Sequence, residues 1–159
     1  MDNGLKKTVL RMFTYGLYAV TARHGGDISM MTANWLTQCS FEPPMVMLAV
    51  EADSHSRQVI EGSRAIAINL YESGQRDLAG SLGRTFGKHP EKINEAAWQP
   101  GPLTGSPLLD SALAWVECQI VSSLPAGDHI VFVAEVAEVG LNHEGLPLTL
   151  KEAGFRYAG

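Results

Sequence analysis

Positive charge is scarce in this sequence. It has 12 Lys and Arg against 17 Asp and Glu, a formal net charge of −5, and no basic run. A nucleic-acid backbone needs a basic face, so DNA and RNA are excluded as main partners. Cysteine is also thin: Cys39 and Cys118 are far apart and neither sits in a CxxC pair. A disulfide framework is not expected and a reducing compartment is. Both cysteines are read as small buried apolar side chains. No apolar run is long enough to span a bilayer. The polar opening Met1-Asp2-Asn3-Gly4-Leu5-Lys6-Lys7 carries no secretory apolar stretch. A soluble cytoplasmic protein without nucleic-acid or membrane partners is expected.

Several catalytic signatures are missing too. No GxGxxG follows a strand candidate, and Gly87-Lys88 closes no phosphate loop, because Leu82 and His89 stand where Gly and Ser/Thr belong. The histidines (His24, His55, His89, His129, His143) do not pair at ligand spacing, so no metal site is expected. Gly80-Ser81-Leu82-Gly83 is no nucleophile elbow, since Ala79 occupies the first glycine position.

What is present reads as one domain over residues 1–159, with no repeat, low-complexity block or linker. Residues 15–23 are aromatic and β-branched, His24-Gly25-Gly26-Asp27 turns the chain, and 28–34 returns as a second strand. Residues 35–41 continue extended to Glu42-Pro43-Pro44, and the apolar run 45–50 reads as a buried strand. Ser54 caps a helix running to about Glu61, with Gly62 at its end. Residues 64–71 alternate as a strand, 75–86 carry helical spacing, and 90–98 read as a short amphipathic helix. Residues 100–107 form a loop. Residues 112–124 and 129–139 are two long strands joined by Pro125-Ala126-Gly127-Asp128. Many strands with two or three helices, not regularly interleaved, indicate a β-barrel with helical inserts.

The segment from Ser29 to Ser40 is the least like a core strand, because it mixes small, polar and large residues without period two. Its backbone groups must pair with something. A flat heterocycle with apolar faces and a polar edge suits it: Asn34 and Thr37 offer an amide and a hydroxyl, and Trp35 offers a ring to pack against. Downstream, Asp53-Ser54-His55-Ser56-Arg57 opens a helix whose free N–H groups and serine hydroxyls suit an anion, with Arg57 or Lys88 as counter-charge. Glu51 and Asp53 oppose this and are expected to point away.

The run Met31-Thr32-Ala33-Asn34-Trp35-Leu36-Thr37-Gln38-Cys39-Ser40-Phe41-Glu42-Pro43-Pro44 resembles the flavin reductase-like, FMN-binding split-barrel family. Gly127-Asp128-His129 resembles that family's turn before its last long strand, and residues 147–157 resemble its tail. The resemblance implies a mainly β, Greek-key split β-barrel of FMN-binding type, forming a homodimer with FMN near the interface. Residues matching Ala33, Asn34, Trp35 and Thr37 meet the flavin ring, and Thr32 beside them is counted with the cofactor site. Ala49, Val50 and Glu51 run beside the ribityl chain, and Ser54, His55 and Ser56 meet the phosphate. Lys88 supplies a basic contact from a glycine turn, where Phe86 replaces a common Ser. His129 is the candidate to meet the nicotinamide or steady the reduced ring; the plainer account is a turn histidine bonded to backbone. Phe155 and Tyr157 either fold over the flavin or close the core as a final strand.

The implied activity is NAD(P)H-dependent flavin reduction, a hydride passing from NADH or NADPH to bound FMN. A monooxygenase or small redox protein would take the electrons. The alternative is a non-catalytic FMN-binding electron-relay module. An oxidase acting on a pyridoxine-like substrate ranks lower, because no basic phosphate-binding cluster is evident.

Overall fold

The computed structural model describes residues 1–157. Its main feature is one antiparallel sheet of seven strands, built from β1 (Tyr18–His24), β2 (Asp27–Ala33), β3 (Leu36–Phe41), β4 (Pro44–Glu51), β5 (Ala65–Leu70), and two long strands that pair as a hairpin. Those two and the short pair before them are β6 (Trp98–Pro100), β7 (Pro107–Leu109), β8 (Ala114–Ala126) and β9 (His129–Leu141). The sheet order is β2-β1-β5-β8-β9-β4-β3.

That order has a geometric consequence. The two edge strands, β2 and β3, are consecutive in sequence and joined only by Asn34 and Trp35. So short a link reaches only about 10 Å. The sheet must therefore curl until its edges nearly meet, which makes a barrel split along one seam. Asn34 and Trp35 bridge that seam, and the Trp35 carbonyl accepts from Ala49 N at 3.0 Å.

Two apolar clusters flank the curled sheet. Val20, Leu48, Ile66, Ile68 and Phe132 fill the inside with Val59 and Ile60 of α2 (His55–Ser63). Ala19, Met30 and Tyr71 pack outside against α3 (Arg76–Leu82) and α4 (Leu150–Ala153). β1 and β5 are thus buried on both faces, which is why the alternation in residues 64–71 sets apolar against apolar. Buried Asn69 ties the layers: its amide donates to Pro107 O at 3.2 Å, and its Oδ1 accepts from Leu109 N at 2.7 Å.

Several boundaries differ from the sequence reading. β1 begins at Tyr18 rather than 15, and the long hairpin runs through Pro125 and Ala126 to a tight turn at Gly127 (φ 67°) and Asp128. Residues 90–98 form only a 3-10 turn over Pro90–Asn94, then β6. The loop 100–107 is pinched at its ends by the β6–β7 pairing. α2 ends at Ser63, and Arg64, not Gly62, takes the left-handed turn (φ 57°). Gly62 is small for another reason: a Cβ there would lie 2.7 Å from the His24 ring. α1 (Asn3–Leu10) was not expected; Asp2 caps it by accepting from Leu5 N at 2.6 Å, and it buries no residue. Cys118 is buried, as read, but Cys39 is exposed on the edge strand β3. Among the described residues, no helix is long and apolar enough to cross a membrane. The last two residues of the domain expected over 1–159 lie outside the described residues.

Candidate functional site

A cavity of about 720 Å³ opens where the barrel splits. It gathers three segments that are distant in sequence: the end of β2 with its link to β3, the end of β4 with the start of α2, and the start of β9. Of the residues expected from sequence, Thr32, Ala33, Asn34 and Trp35 line one wall. Ala49, Val50 and Glu51 continue along the floor, Ser54, His55 and Ser56 form one end, and His129 joins from β9 beside Glu51 and Trp35. Thr37 and Lys88 do not line the cavity. Thr37 is exposed and its hydroxyl donates to Gln38 O; Lys88 is exposed on the turn after Phe86. Period two explains Thr37, because it points out of the sheet beyond the seam.

The polar groups of the wall are partly spent inside the protein. Thr32 Oγ1 donates to Ala79 O at 2.6 Å and lies 2.8 Å from Tyr71 OH, which fastens β2 to α3. Burial pushes the Tyr71 phenol well above its ordinary range. Asn34 is nearly buried, and its amide donates to the Tyr157 carbonyl at 3.1 Å. Trp35 stands 4.8 Å from the His129 ring and 5.3 Å from the Tyr157 ring. Its Nε1 is buried with no acceptor among the described residues. A buried donor without a partner is costly, so this wall suits a ligand that carries an acceptor.

The helix end of the cavity carries the groups that the sequence reading gave to an anion. Ser54 Oγ accepts from Arg57 N at 3.1 Å and donates to Glu51 O at 2.8 Å, so it is fully used as a cap. Ser56 Oγ is tied to Ser29 Oγ at 2.7 Å. The backbone N–H groups of His55 and Ser56, at the first positions of the helix, have no intrahelical acceptor. Arg57 is occupied, donating to Ala52 O and Glu61, both at 2.7 Å. Glu51 and Asp53 do not point away; both line the cavity. The balancing charges that line it are Arg84, Lys92 and, from the tail, Arg156. Lys92 is almost wholly buried, and its ammonium donates to Leu82 O at 2.8 Å and to Arg84 O. Burial, with Arg84 nearby, lowers its pKa to about 8. His55 stacks on Phe86 with centroids 3.8 Å apart and planes 8° apart. Burial lowers the His55 pKa, helped by Lys92 and opposed by Asp27.

Sequence reasoning missed Arg84, Phe86 and Lys92 as lining residues. Nothing local separates Lys92 from Lys88; only the packing of the 3-10 turn under α3 does. It left Tyr157 between two roles, and among the described residues no strand follows α4, which turns the tail so that Phe155, Arg156 and Tyr157 line the cavity. Among the described residues there is no group of three metal-ligating side chains.

A slot with a backbone-rich wall, an orphaned indole donor and a helix start near a buried lysine fits a flat ring that bears an anionic tail. The comparisons agree in kind. Residues 10–159 match the flavin reductase like domain. The reductase component of 4-hydroxyphenylacetate 3-monooxygenase from Thermus thermophilus is 34% identical over 94% of this chain and 93% of its own. An NADH-dependent FAD reductase from Streptomyces globisporus is 32% identical, covering 78% of this chain and 68% of that protein. The crystal structure of nitrilotriacetate monooxygenase component B from Mycobacterium thermoresistibile superposes with TM-score 0.84 at 25% identity, over 93% of this chain and 82% of the other.

Proposed function

The chain belongs to the flavin reductase-like domain family, and from that premise we propose that its seam cavity holds FMN and presents it to a reduced nicotinamide. The protein is an NAD(P)H-dependent flavin oxidoreductase. The observation that carries the site assignment is the meeting of the Ala33–Trp35 wall with the start of α2 in one cavity.

When bound, flavin supplies the hydride-accepting chemistry. The chain's part is to bind, orient and exclude water. Backbone groups of Ala33, Asn34 and Trp35 meet the polar edge of the ring, and Trp35 Nε1 finds its acceptor there. Ala49 and Val50 give an apolar floor beside the ribityl chain. The N–H groups of His55 and Ser56 hold the phosphate, with Lys92 behind them. His129 steadies the open side, where the nicotinamide stacks.

The phosphate assignment predicts that FMN binds at least about tenfold more tightly than riboflavin at neutral pH, as expected for a lost charge-assisted contact. The advantage depends on pH. Lys92 is charged below about 8, so its contribution to FMN affinity is complete there and fades as pH rises; a bound phosphate moves the loss upward. Fold stability responds the other way, rising with pH above about 8, because the unfolded chain then holds the lysine proton longer. Fluorescence titrations with both flavins across pH 7–10 check this. Equal, flat affinities would remove the helix start from the site. Anaerobic bleaching of the FMN-loaded protein by NADH or NADPH tests the reaction itself, and a yellow protein that neither bleaches would fit the relay reading.

A homodimer and a downstream monooxygenase are part of the same proposal. The outward face of the sheet supports the dimer: Met47 lies beside Val133, and Leu124 beside Val131. Met47 is 41% and Leu124 64% exposed, and the face runs on to Ala49 at the cavity rim. Val133→Lys is expected to shift sedimentation from dimer to monomer and weaken FMN binding together. A monomeric native protein would reject the interface. The similarity to the Thermus thermophilus reductase component supports the monooxygenase as electron acceptor.

A further inference from the structure

The slot between Trp35 and Glu51 is filled by the protein's own tail. Tyr157 donates its hydroxyl to Glu51 Oε1 at 2.8 Å and lies 3.3 Å from His129 Nε2. Its carbonyl takes the Asn34 amide at 3.1 Å, and its ring sits against the Trp35 indole. Of these, Asn34, Trp35 and His129 are the groups that the flavin reading assigns to ring and nicotinamide, and Glu51 is assigned to the ribityl chain. Yet Tyr157 is 43% exposed, so polar bonds rather than burial hold it there.

The chain just before it is built differently. Thr149 caps α4 by accepting from Glu152 N at 3.1 Å, Leu148 and Ala153 are buried, and Arg76 Nε donates to Ala153 O at 2.6 Å. Gly154 then takes a left-handed conformation (φ 71°) with open space where a Cβ would stand. Beyond it, Phe155 packs half-buried against the outer core, with the Arg76 guanidinium 5.2 Å from its centroid. A firmly anchored helix, a left-handed glycine, one packed ring and an exposed end held by polar bonds make a hinge whose movement costs the Phe155 packing as well as the Tyr157 bonds.

We propose that Tyr157 is a displaceable occupant of the ring slot, and that the tail must swing about Gly154 before flavin can enter. This rests on the flavin reading of the cavity. Only the fraction of molecules with the tail open is competent to bind, so the closed tail lowers both the association rate and the apparent affinity by that fraction. It sets how readily flavin exchanges, which matters for a reductase that hands reduced flavin to a second enzyme.

The test is stopped-flow binding of FMN, read by flavin fluorescence, on three proteins: the native chain, Tyr157→Phe, and a chain ended after Gly154. Melting curves confirm that each is folded. Truncation is expected to speed association about tenfold, in line with losing a few modest polar contacts, and Tyr157→Phe to speed it severalfold. Unchanged association in both variants overturns the proposal. So does faster release with unchanged association, because the tail would then be a clasp over bound flavin. Absence of FMN binding in all three proteins overturns the flavin reading, a failure distinguishable from that of the tail alone.

Discussion

Glu117→Ala is expected to destabilise the fold by about 3–5 kcal/mol, the largest stability effect of any single change considered, and to lower Tm by roughly 10 °C. Glu117 sits in β8 with no exposed surface, and its carboxyl group serves a single loop. It accepts from Thr104 N at 2.8 Å, Thr104 Oγ1 at 2.6 Å and Leu103 N at 3.2 Å. The loop is pressed against it so closely that a Cβ on Gly101 would lie 2.6 Å from the carboxyl carbon. Alanine removes the acceptor and leaves the donors of Leu103 and Thr104 facing a hole. Each stranded donor costs about 1–3 kcal/mol, and the void adds to that. The same loop carries Pro107, whose carbonyl receives both Asn69 and Thr21, so the damage spreads to β5 and β1. Glu117→Gln keeps one acceptor oxygen and is expected to lose only about 1–2 kcal/mol. Chemical denaturation of the three proteins checks the order; a Glu117→Ala protein within about 1 kcal/mol of native would show that the loop is not held this way.

The parts of this architecture that can be read from sequence are those decided locally. Gly25-Gly26 between two β-rich runs makes the first hairpin, and Gly25 takes a positive φ of 58°. Ser54 caps α2, and the apolar run 45–50 becomes a strand buried between β3 and β9. The cavity lining is legible where one segment supplies several of its residues, as at Thr32 to Trp35. What escapes local reading is decided by packing. Gly62 looks like a helix stop but is small to admit the His24 ring, and the left-handed turn falls on Arg64. Lys92 becomes a cavity residue only because the 3-10 turn lies under the end of α3. The tail is a different case. Thr149 and Glu152 carry a helix-capping spacing that points to α4, and that signal was there to be used.

His129→Ala is expected to lower kcat/KM for the reduced nicotinamide about a hundredfold, within the range for loss of a positioned acid–base or hydrogen-bonding group. FMN affinity should change less than about threefold, since the His129 ring bonds Asp128 and Tyr157 and none of the groups at the start of α2. His129 is fixed by the fold rather than by chance: it pairs with Glu51 across β4 and β9, directly after the Gly127-Asp128 turn. Its Nδ1 lies 2.6 Å from Asp128 Oδ1. That bond, together with the imidazole's charge, holds the Asp128 carboxyl below its usual range. The other nitrogen, Nε2, is turned to Tyr157 and so to the slot. If the tail withdraws, Nε2 loses its Tyr157 partner and is free to meet a ligand in the slot. Asp128 then acts through His129 as a positioning residue, and Asp128→Asn should cost about tenfold, less than removal of the ring it orients. A plain turn histidine makes the opposite forecast: both variants would melt earlier while single-turnover reduction of bound flavin stayed at the native rate. The two accounts therefore separate on the rate of anaerobic flavin bleaching, and running it at saturating and at low nicotinamide also tells a contact to the incoming cofactor, which acts on KM, from a steadied reduced ring, which acts on the limiting rate.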